Sequence, residues 1–262
     1  MKKLKKLSMV VFLVGLIAAL LLGGCGKKTG EEKPEAMADL TGHTLHVYCG
    51  AGMTKPFQEI SDAFTKKTGC KMEVTFANAG QIQMQINTAQ EGDLFIAGST
   101  EELKPVESFV TERMPLVKHI PVIAVQKGNP KGIKDLNAIA EEGIRVVLGD
   151  GEGTPIGKIA DKALADAGLA DKVNVVARTT TAPQIFTTLT AGESDAVIVW
   201  KENVTDQGEI VATGDLDRYI KEIPAAALSF SADKEAQQAF LTFLGTGEAK
   251  SIWENYGYAL IS

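Results

Sequence analysis

Apolar residues follow two different periods along the chain after position 40. Short apolar runs, typical of buried strands, alternate with segments in which apolar residues recur at helical spacing. Residues 54–67 show the helical spacing at Phe57, Ile60 and Phe64, and Gly69 follows as a helix stop. This alternation of strands and helices predicts parallel sheets with helices on both faces.

The predicted elements fall into two series. The predicted strands are 45–49, 72–76, 93–97, 144–148, 173–177 and 196–200. The predicted helices are 54–67, 82–89, 155–167, 182–190, 233–244 and 247–256. Two long apolar segments, 117–126 and 223–228, link the two series. The sequence therefore predicts an α/β protein with two lobes, each a mainly parallel sheet flanked by helices. The expected boundaries are 40–119 plus 222–262 for lobe 1 and 120–221 for lobe 2.

The first residues have the pattern of an export signal. Four lysines at positions 2, 3, 5 and 6 precede an apolar run at 7–22. The run ends in LGGC at 22–25, which resembles a bacterial lipobox and implies cleavage before Cys25 and a lipid on its sulfur. A transmembrane anchor or an uncleaved signal is the alternative. We expect a signal peptide at 1–24 and a solvated tether at 25–39, rich in charge, Gly and Pro.

The charge balance disfavours a nucleic-acid binder. The chain carries a net charge of −6, and its signal contributes four lysines and no acidic residue, so the remainder is near −10. No cluster of Lys and Arg follows the tether. An anionic ligand would have to be held locally, against an unfavourable overall field.

Two cysteines besides Cys25 are expected to be free and buried. Cys49 ends the first predicted strand and Cys70 precedes the second. In parallel neighbouring strands these thiols lie at opposite edges of the sheet, whereas a disulfide needs Cα atoms within about 7 Å.

The residues do not form a recognisable catalytic or metal-binding motif. His43, His46 and His119 stand in no zinc spacing, and the chain has neither a GxSxG elbow nor a P-loop. The glycine-rich segment 149–153 lacks the order of a phosphate-binding motif. Asp93 and Asp150 are more typical of turn and cap positions than of catalysis. We therefore expect no enzyme, no cofactor and no protein-bound metal.

Four loops of small residues connect predicted strands to helices, at 50–54, 77–81, 153–157 and 180–183. Ligands of doubly wound sheets bind beyond the carboxyl ends of the strands. The first turn of each helix leaves N–H groups unpaired, and such groups bind anions without Lys or Arg. One such loop alone is an ordinary cap, but four that converge on one cleft favour an anion site. Trp200 ends a strand here, either as a donor in the site or as a core or hinge aromatic.

Several stretches resemble the molybdate-binding proteins of ABC importers. They include LHVYCGAGMTKPF at 45–57, FANAGQIQMQI at 76–86 and GDLFIAGS at 92–99. IRVVLGDGEGTPIGK at 144–158 resembles the family's entry into its second lobe, and DAVIVWKENV at 195–204 the strand with its ligand-facing tyrosine. The closing AFLTFLGTGEAKSIWENYGY is similar to the last helices of many solute-binding proteins. The similarity covers 45–260.

The resemblance implies a type II periplasmic-binding-protein fold that closes on a tetrahedral oxyanion, held by backbone amides and serine hydroxyls. Matched onto this chain, the contact positions and their neighbouring amides are Gly52, Met53, Ala79, Gly80, Ile156, Ala182 and Trp200. The family usually has serine where Gly52 and Ala79 stand and tyrosine in place of Trp200. Backbone donors survive these changes, and Thr54, Thr154 or Thr181 could replace the lost hydroxyls.

The expected function is that of a substrate-binding lipoprotein for molybdate or tungstate. Its expected partners are the oxyanion, the permease subunits of an ABC importer, and the membrane through the lipid on Cys25. The protein is expected to be a monomer outside the cytoplasm, on the outer face of the membrane or in the periplasm. A receptor for another small anion or organic solute, an exported enzyme on the same scaffold and a surface lipoprotein without a ligand remain alternatives.

Overall fold

The computed structural model describes residues 37–261. The predicted signal peptide, Cys25 and most of the tether lie outside the described residues. Within the described part, no helix is both long enough and apolar enough to cross a membrane.

The first sheet has six strands and forms lobe 1. Its strands are β1 (Thr44–Gly50), β2 (Lys71–Ala77), β3 (Leu94–Ile96), β4 (Val110–His119), β10 (Lys221–Leu228) and β11 (Ala259–Leu260). They lie in the order β11-β4-β10-β3-β1-β2. β1 pairs in parallel with β2 and β3, whereas β10 runs antiparallel to β3 and β4.

The second sheet has five strands and forms lobe 2. Its strands are β5 (Pro121–Gln126), β6 (Val146–Gly149), β7 (Val175–Thr179), β8 (Ala196–Trp200) and β9 (Gly208–Ile210). They lie in the order β7-β6-β8-β5-β9, with β6 parallel to β7 and β8 and with β5 antiparallel to β8 and β9. The predicted α/β class and two-lobed fold are confirmed. The prediction that each sheet is mainly parallel was wrong in detail, because the strands beside the lobe crossings run against their neighbours and make both sheets mixed.

In residues 37–261, six α-helices cover the sheets. They are α1 (Thr54–Thr68), α2 (Ala79–Ala89), α3 (Pro155–Asp166), α4 (Ala182–Thr190), α5 (Lys234–Leu244) and α6 (Gly247–Asn255). Each overlaps a helix that the apolar spacing predicts. Gly69 ends α1 with a φ of 75°, as the predicted stop requires. A 3-10 helix at Thr100–Phe109 and the first half of β4 were not predicted.

Phenylalanine side chains fill the core of lobe 1 between α1 and α5. The Phe240 ring meets the Phe64 ring edge-on at 4.8 Å between centroids and the Phe57 ring at 6.0 Å. All three are fully buried. Because α5 follows the second crossing while α1 precedes the first, this core joins the two ends of the described chain.

The chain passes between the sheets in a very short connection. β4 ends at His119 and β5 begins at Pro121, so only Ile120 separates the two sheets. The Lys201 N–H, just after β8, donates to the Ile120 carbonyl at 2.8 Å. The second passage lies between β9 and β10.

Cys49 and Cys70 are both free and buried, as predicted. β1 and β2 are parallel, with Cys49 paired opposite Phe76 and Thr44 opposite Lys71. Cys70 therefore lies near the start of β1 and Cys49 near its end.

Candidate functional site

The loops that the sequence predicts as ligand contacts follow parallel strands in both lobes. β1, β2 and β3 are parallel neighbours, so the segments after them leave lobe 1 at one edge. β6, β7 and β8 are likewise parallel and share an edge in lobe 2. The seven predicted contact residues lie in these strands, in the loops after them or in the first turns of the helices that follow.

At the start of α2, the cap hydrogen bond leaves two N–H groups without an acceptor in the helix. The Asn78 Oδ1 atom accepts a hydrogen bond from the Gln81 N–H at 3.0 Å, and the Asn78 carbonyl accepts from the Ile82 N–H at 3.1 Å. The Ala79 and Gly80 N–H groups lie in the first turn, where the helix itself supplies no acceptor. They remain candidate donors, and Gly80 is exposed.

Helices α3 and α4 repeat this arrangement in lobe 2. The hydroxyl of Thr154 accepts from the Gly157 N–H at 3.0 Å, and that of Thr181 accepts from the Gln184 N–H at 3.4 Å. Each helix has a proline in its first turn, which has no N–H to satisfy. The N–H groups left without an intrahelical acceptor are those of Ile156 and Ala182. Ile156 is 1% exposed as a whole residue, so its side chain offers no surface to a ligand and its N–H is itself largely covered.

The first loop differs, because it begins with a single 3-10 turn at Ala51–Met53 and has no side-chain cap. Gly52 is exposed, and a Cβ atom there would meet nothing within 4 Å. Met53 is buried in lobe 1 as a whole residue, so its side chain offers no surface to a ligand. The position thus has room for the serine that the family usually carries.

Two of the three threonine hydroxyls considered as replacements already donate to carbonyl groups. Thr54 Oγ1 donates to the Ala51 carbonyl and Thr154 Oγ1 to the Asp150 carbonyl, both at 2.8 Å. Thr181 Oγ1 accepts a hydrogen bond, which leaves its proton available. Of the three, Thr181 is therefore the best placed to donate to a ligand.

Trp200 lies at the junction of the lobes. Its side chain is buried, and its ring stacks on the His119 ring with 3.6 Å between centroids and 20° between planes. His119 Nδ1 lies 3.3 Å from the Gly98 carbonyl oxygen, directly after β3. Since Gly50 and Gly98 are close neighbours, with the Gly50 Cβ position 3.9 Å from the Gly98 nitrogen, the first loop and Trp200 are connected through Gly98 and His119.

The segment Gly98–Thr100 is a further loop at the lobe 1 edge that the sequence analysis did not select. It follows β3 and begins the 3-10 helix, and the Gly98 N–H donates to Glu102 Oε2 at 2.7 Å. Burial raises the pKa of the Glu102 carboxyl. The sequence could have indicated this loop, because the small residues GST at 98–100 directly follow a predicted strand.

The glycine-rich segment 149–153 is held by turn contacts. Asp150 Oδ1 accepts from the Glu152 and Gly153 N–H groups at 3.0 and 2.5 Å, and these bonds lower the pKa of the Asp150 carboxyl. Arg178 donates to the Gly149 carbonyl at 2.8 Å and pairs with Asp161, which fixes the third loop against β7. Asp93 is also structural, since its Oδ2 accepts from the His46 N–H at 2.7 Å. The expected turn role is confirmed for Asp150, whereas Asp93 instead ties the start of β3 to β1.

The family model for bacterial extracellular solute-binding proteins matches residues 45–259. The chain belongs to this family. Extracellular solute-binding proteins act outside the cytoplasm, and the family is one of binding proteins rather than enzymes. Among residues 37–261, no three His, Cys, Asp or Glu side chains are grouped closely enough to hold a metal ion.

Individual relatives of this solute-binding protein include receptors for molybdate. A Haemophilus influenzae protein, named as a binding protein without a stated ligand, is 32% identical over 75% of this chain and 83% of its own. The molybdate-binding protein ModA of Rhodobacter capsulatus is 23% identical over 79% of this chain and 85% of its own. Among solved structures, a substrate-binding domain assigned to a molybdenum ABC transporter of Clostridium difficile has a TM-score of 0.73. It is 20% identical, and the match covers 84% of this chain and 99% of that domain. The molybdate-binding-protein type expected from the sequence is confirmed.

Proposed function

We propose that this solute-binding protein is the substrate-binding lipoprotein of an ABC importer and that it binds a tetrahedral oxyanion, molybdate or tungstate. The proposal rests chiefly on one observation. At α2, α3 and α4, a cap side chain takes the third N–H and leaves Ala79, Gly80, Ile156 and Ala182 as donors. They lie after parallel strands in both lobes, where two halves of one site would meet.

Backbone donors suit this ligand for an electrostatic reason. Helix N-termini carry a partial positive charge and bind anions without a cationic side chain. Arg178, beside the third loop, is already paired with Asp161 and bound to the Gly149 carbonyl. In an acidic protein, local dipoles would let the site hold a dianion against the overall field. Gly52, Met53 and Trp200 complete the proposed contact set.

The proposed partners follow from the relatives and the sequence. The related Clostridium difficile domain is assigned to an ABC transporter, which supports permease subunits as partners of this chain. The lipobox-like LGGC at 22–25 supports a lipid on Cys25 and a site of action at the outer face of the membrane. Closure of lobes 40–119 plus 222–262 and 120–221 on the ligand would present one monomer to the permease.

Isothermal titration calorimetry on residues 37–262, which form one compact unit, tests the proposal. Molybdate, tungstate, sulfate and phosphate are titrated separately. We expect submicromolar binding of molybdate or tungstate, with sulfate and phosphate at least about a hundredfold weaker, as the loss of one or two good hydrogen bonds would produce. If none of the four anions binds measurably, the oxyanion proposal is refuted and small organic solutes are tested next.

A further inference from the structure

His119 is the centre of a group of side chains that joins the two lobes. Its Nδ1 faces the Gly98 carbonyl at 3.3 Å and its Nε2 lies 2.8 Å from Glu202 Oε1. Gly98 belongs to lobe 1, whereas Glu202 follows β8 of lobe 2. Trp200 stacks on the ring and Tyr258 lies 6.2 Å away between centroids. We call Gly98, His119, Trp200, Glu202 and Tyr258 the junction cluster.

Both ring nitrogens of His119 face hydrogen-bond acceptors. A carbonyl oxygen and an ionised carboxylate can only accept, so both contacts are hydrogen bonds only if both nitrogens of His119 donate. Only the imidazolium carries two N–H groups. Its charge also suits the stacked indole, because a cation over an aromatic face is attracted by the ring's electrons.

The pair is well shielded from water. The side chains of His119 and Glu202 are 13% and 8% exposed, whereas every other ion pair in the described residues has at least one partner that is 24% exposed or more. The C-terminal segment covers Glu202, since a Cβ atom at Gly257 would lie 3.2 Å from the Glu202 Cα. A buried charge pair is screened little by salt and costs stability when one partner is removed.

Other ionisable groups around the ring favour the same charge state. Glu102 binds the Gly98 N–H at 2.7 Å and attracts the His119 charge from lobe 1. Lys221 is the strand partner of His119 on β10, but it is paired with Glu101. Tyr258 stays neutral, because burial and the nearby Glu202 raise the pKa of its hydroxyl.

We propose that the His119 imidazolium positions Trp200 and the two site edges, and thereby couples ligand affinity to pH. When pH rises and the ring loses a proton, one of its two nitrogens loses its hydrogen and can no longer donate to Gly98 or Glu202. The stack on Trp200 loses its charge at the same time. By linkage, a ligand that requires the charged arrangement binds more weakly at high pH and takes up protons when it binds.

The first test needs no ligand. In the full chain with Trp253→Phe, Trp200 is the one remaining tryptophan, because the sequence contains two. An imidazolium stacked on an indole quenches its fluorescence more than a neutral imidazole does. We expect the emission to rise with increasing pH as the ring loses its proton and its charge. His119→Gln should remove the transition, whereas the matched control His46→Gln, at an exposed histidine 59% accessible, should retain it.

The second test measures affinity and rests on the proposed function. In the full chain, titrated with molybdate at micromolar concentrations, we expect the Kd to rise at least about fivefold from pH 6 to pH 8.5. Fivefold is the lower end of the usual change in affinity that one site causes at another. His119→Gln should bind molybdate more weakly than the unmodified chain does at pH 6, and equally weakly at both pH values. Glu202→Gln, which keeps the shape of the carboxyl, should reduce the pH dependence of the Kd.

The two tests fail separately. A fluorescence transition without binding of any oxyanion would refute the proposed function and leave the role of His119 supported. A transition that persists in His119→Gln, or identical pH dependence of the Kd in that variant and the unmodified chain, would refute the role of His119. Far-UV circular dichroism establishes that each variant is folded. If His119→Gln does not fold, the pH dependence of Glu202→Gln tests the role of His119 instead.

Discussion

The N–H of Ala182 tests amide-based binding at the scale of one residue. Ala182→Pro removes this donor but suits the first helical position, where proline is common. The preceding Thr181 has φ −141° and ψ 146°, a conformation that proline accepts in its predecessor. A hydrogen bond to a charged group contributes about 1.5–3 kcal/mol, so molybdate affinity should fall at least about tenfold in calorimetry.

Ala182→Ser is the matched control, because it retains the N–H and should bind within about threefold of the unmodified chain. Unchanged affinity in a folded Ala182→Pro variant would remove Ala182 from the site. If both variants lose affinity equally, the loss comes from the new side-chain atoms and not from the missing donor.

Trp200 illustrates what the sequence could not decide at this scale. From the sequence, the residue was either a donor in the site or a core or hinge aromatic. The structure places its ring on His119 at the lobe junction, where a hinge aromatic is expected, and its part in the proposed contact set stays a prediction. His119 and Trp200 are far apart in sequence, so no local pattern indicates their contact. The helix caps, in contrast, are local, and threonine followed by proline indicates them directly.

At the scale of elements, Gly157 allows α3 to start close to the glycine-rich segment 149–153. A Cβ atom at this position would lie 2.2 Å from the Asp150 carbonyl oxygen and 2.6 Å from the Gly149 oxygen. Neither backbone group can move without displacing the segment that Asp150 caps. Gly157→Ala should therefore lower the free energy of unfolding by about 1–3 kcal/mol in urea denaturation and weaken molybdate binding.

Gly247→Ala provides the comparison. Gly247 is also in the first turn of a helix, but a Cβ atom there would meet nothing within 4 Å. This change should be neutral or should stabilise by up to about 1 kcal/mol. Equal effects of the two substitutions would show that the close approach at Gly157 does not constrain the glycine-rich segment 149–153.

The elements differ in how far sequence predicts them. α4 and β8 have the bounds that the sequence analysis gave, because apolar spacing and a proline at the helix start define them. Thr100–Phe109 was missed, since charged residues and Pro105 interrupt any apolar period. β4 was predicted only from residue 117, because the residues before it are mostly exposed and include charged side chains and Pro115.

At the scale of the whole molecule, the order of elements makes lobe 1 discontinuous. The aromatic core of lobe 1 depends on Phe240, which comes from the chain after both crossings. Lobe 2 is built from one continuous stretch, β5 to β9, and has a separate core that includes Phe186. The two lobes are joined by two short passages and the junction cluster. The strength of these connections therefore decides whether the lobes unfold together or separately.

Cys49 and Cys70 report on lobe 1 alone, since both lie in its core. Burial raises the pKa of the Cys70 thiol to about 11 and that of the Cys49 thiol well above its ordinary value. Little thiolate is present near neutral pH, and maleimide labelling of the folded chain should be slow. In a Cys25→Ser background, labelling therefore measures the opening of lobe 1.

Phe240→Ala and Phe186→Ala form a matched pair, each expected to cost about 3–5 kcal/mol in one core. If the lobes open separately, Phe240→Ala should accelerate labelling of Cys49 and Cys70 by at least about a hundredfold, and Phe186→Ala by much less. Equal acceleration by both would mean that the junction contacts make the lobes one cooperative unit. In that case His119→Gln, which removes the interlobe charge pair, should restore the difference, because the contact that transmits opening from lobe 2 to lobe 1 would be lost.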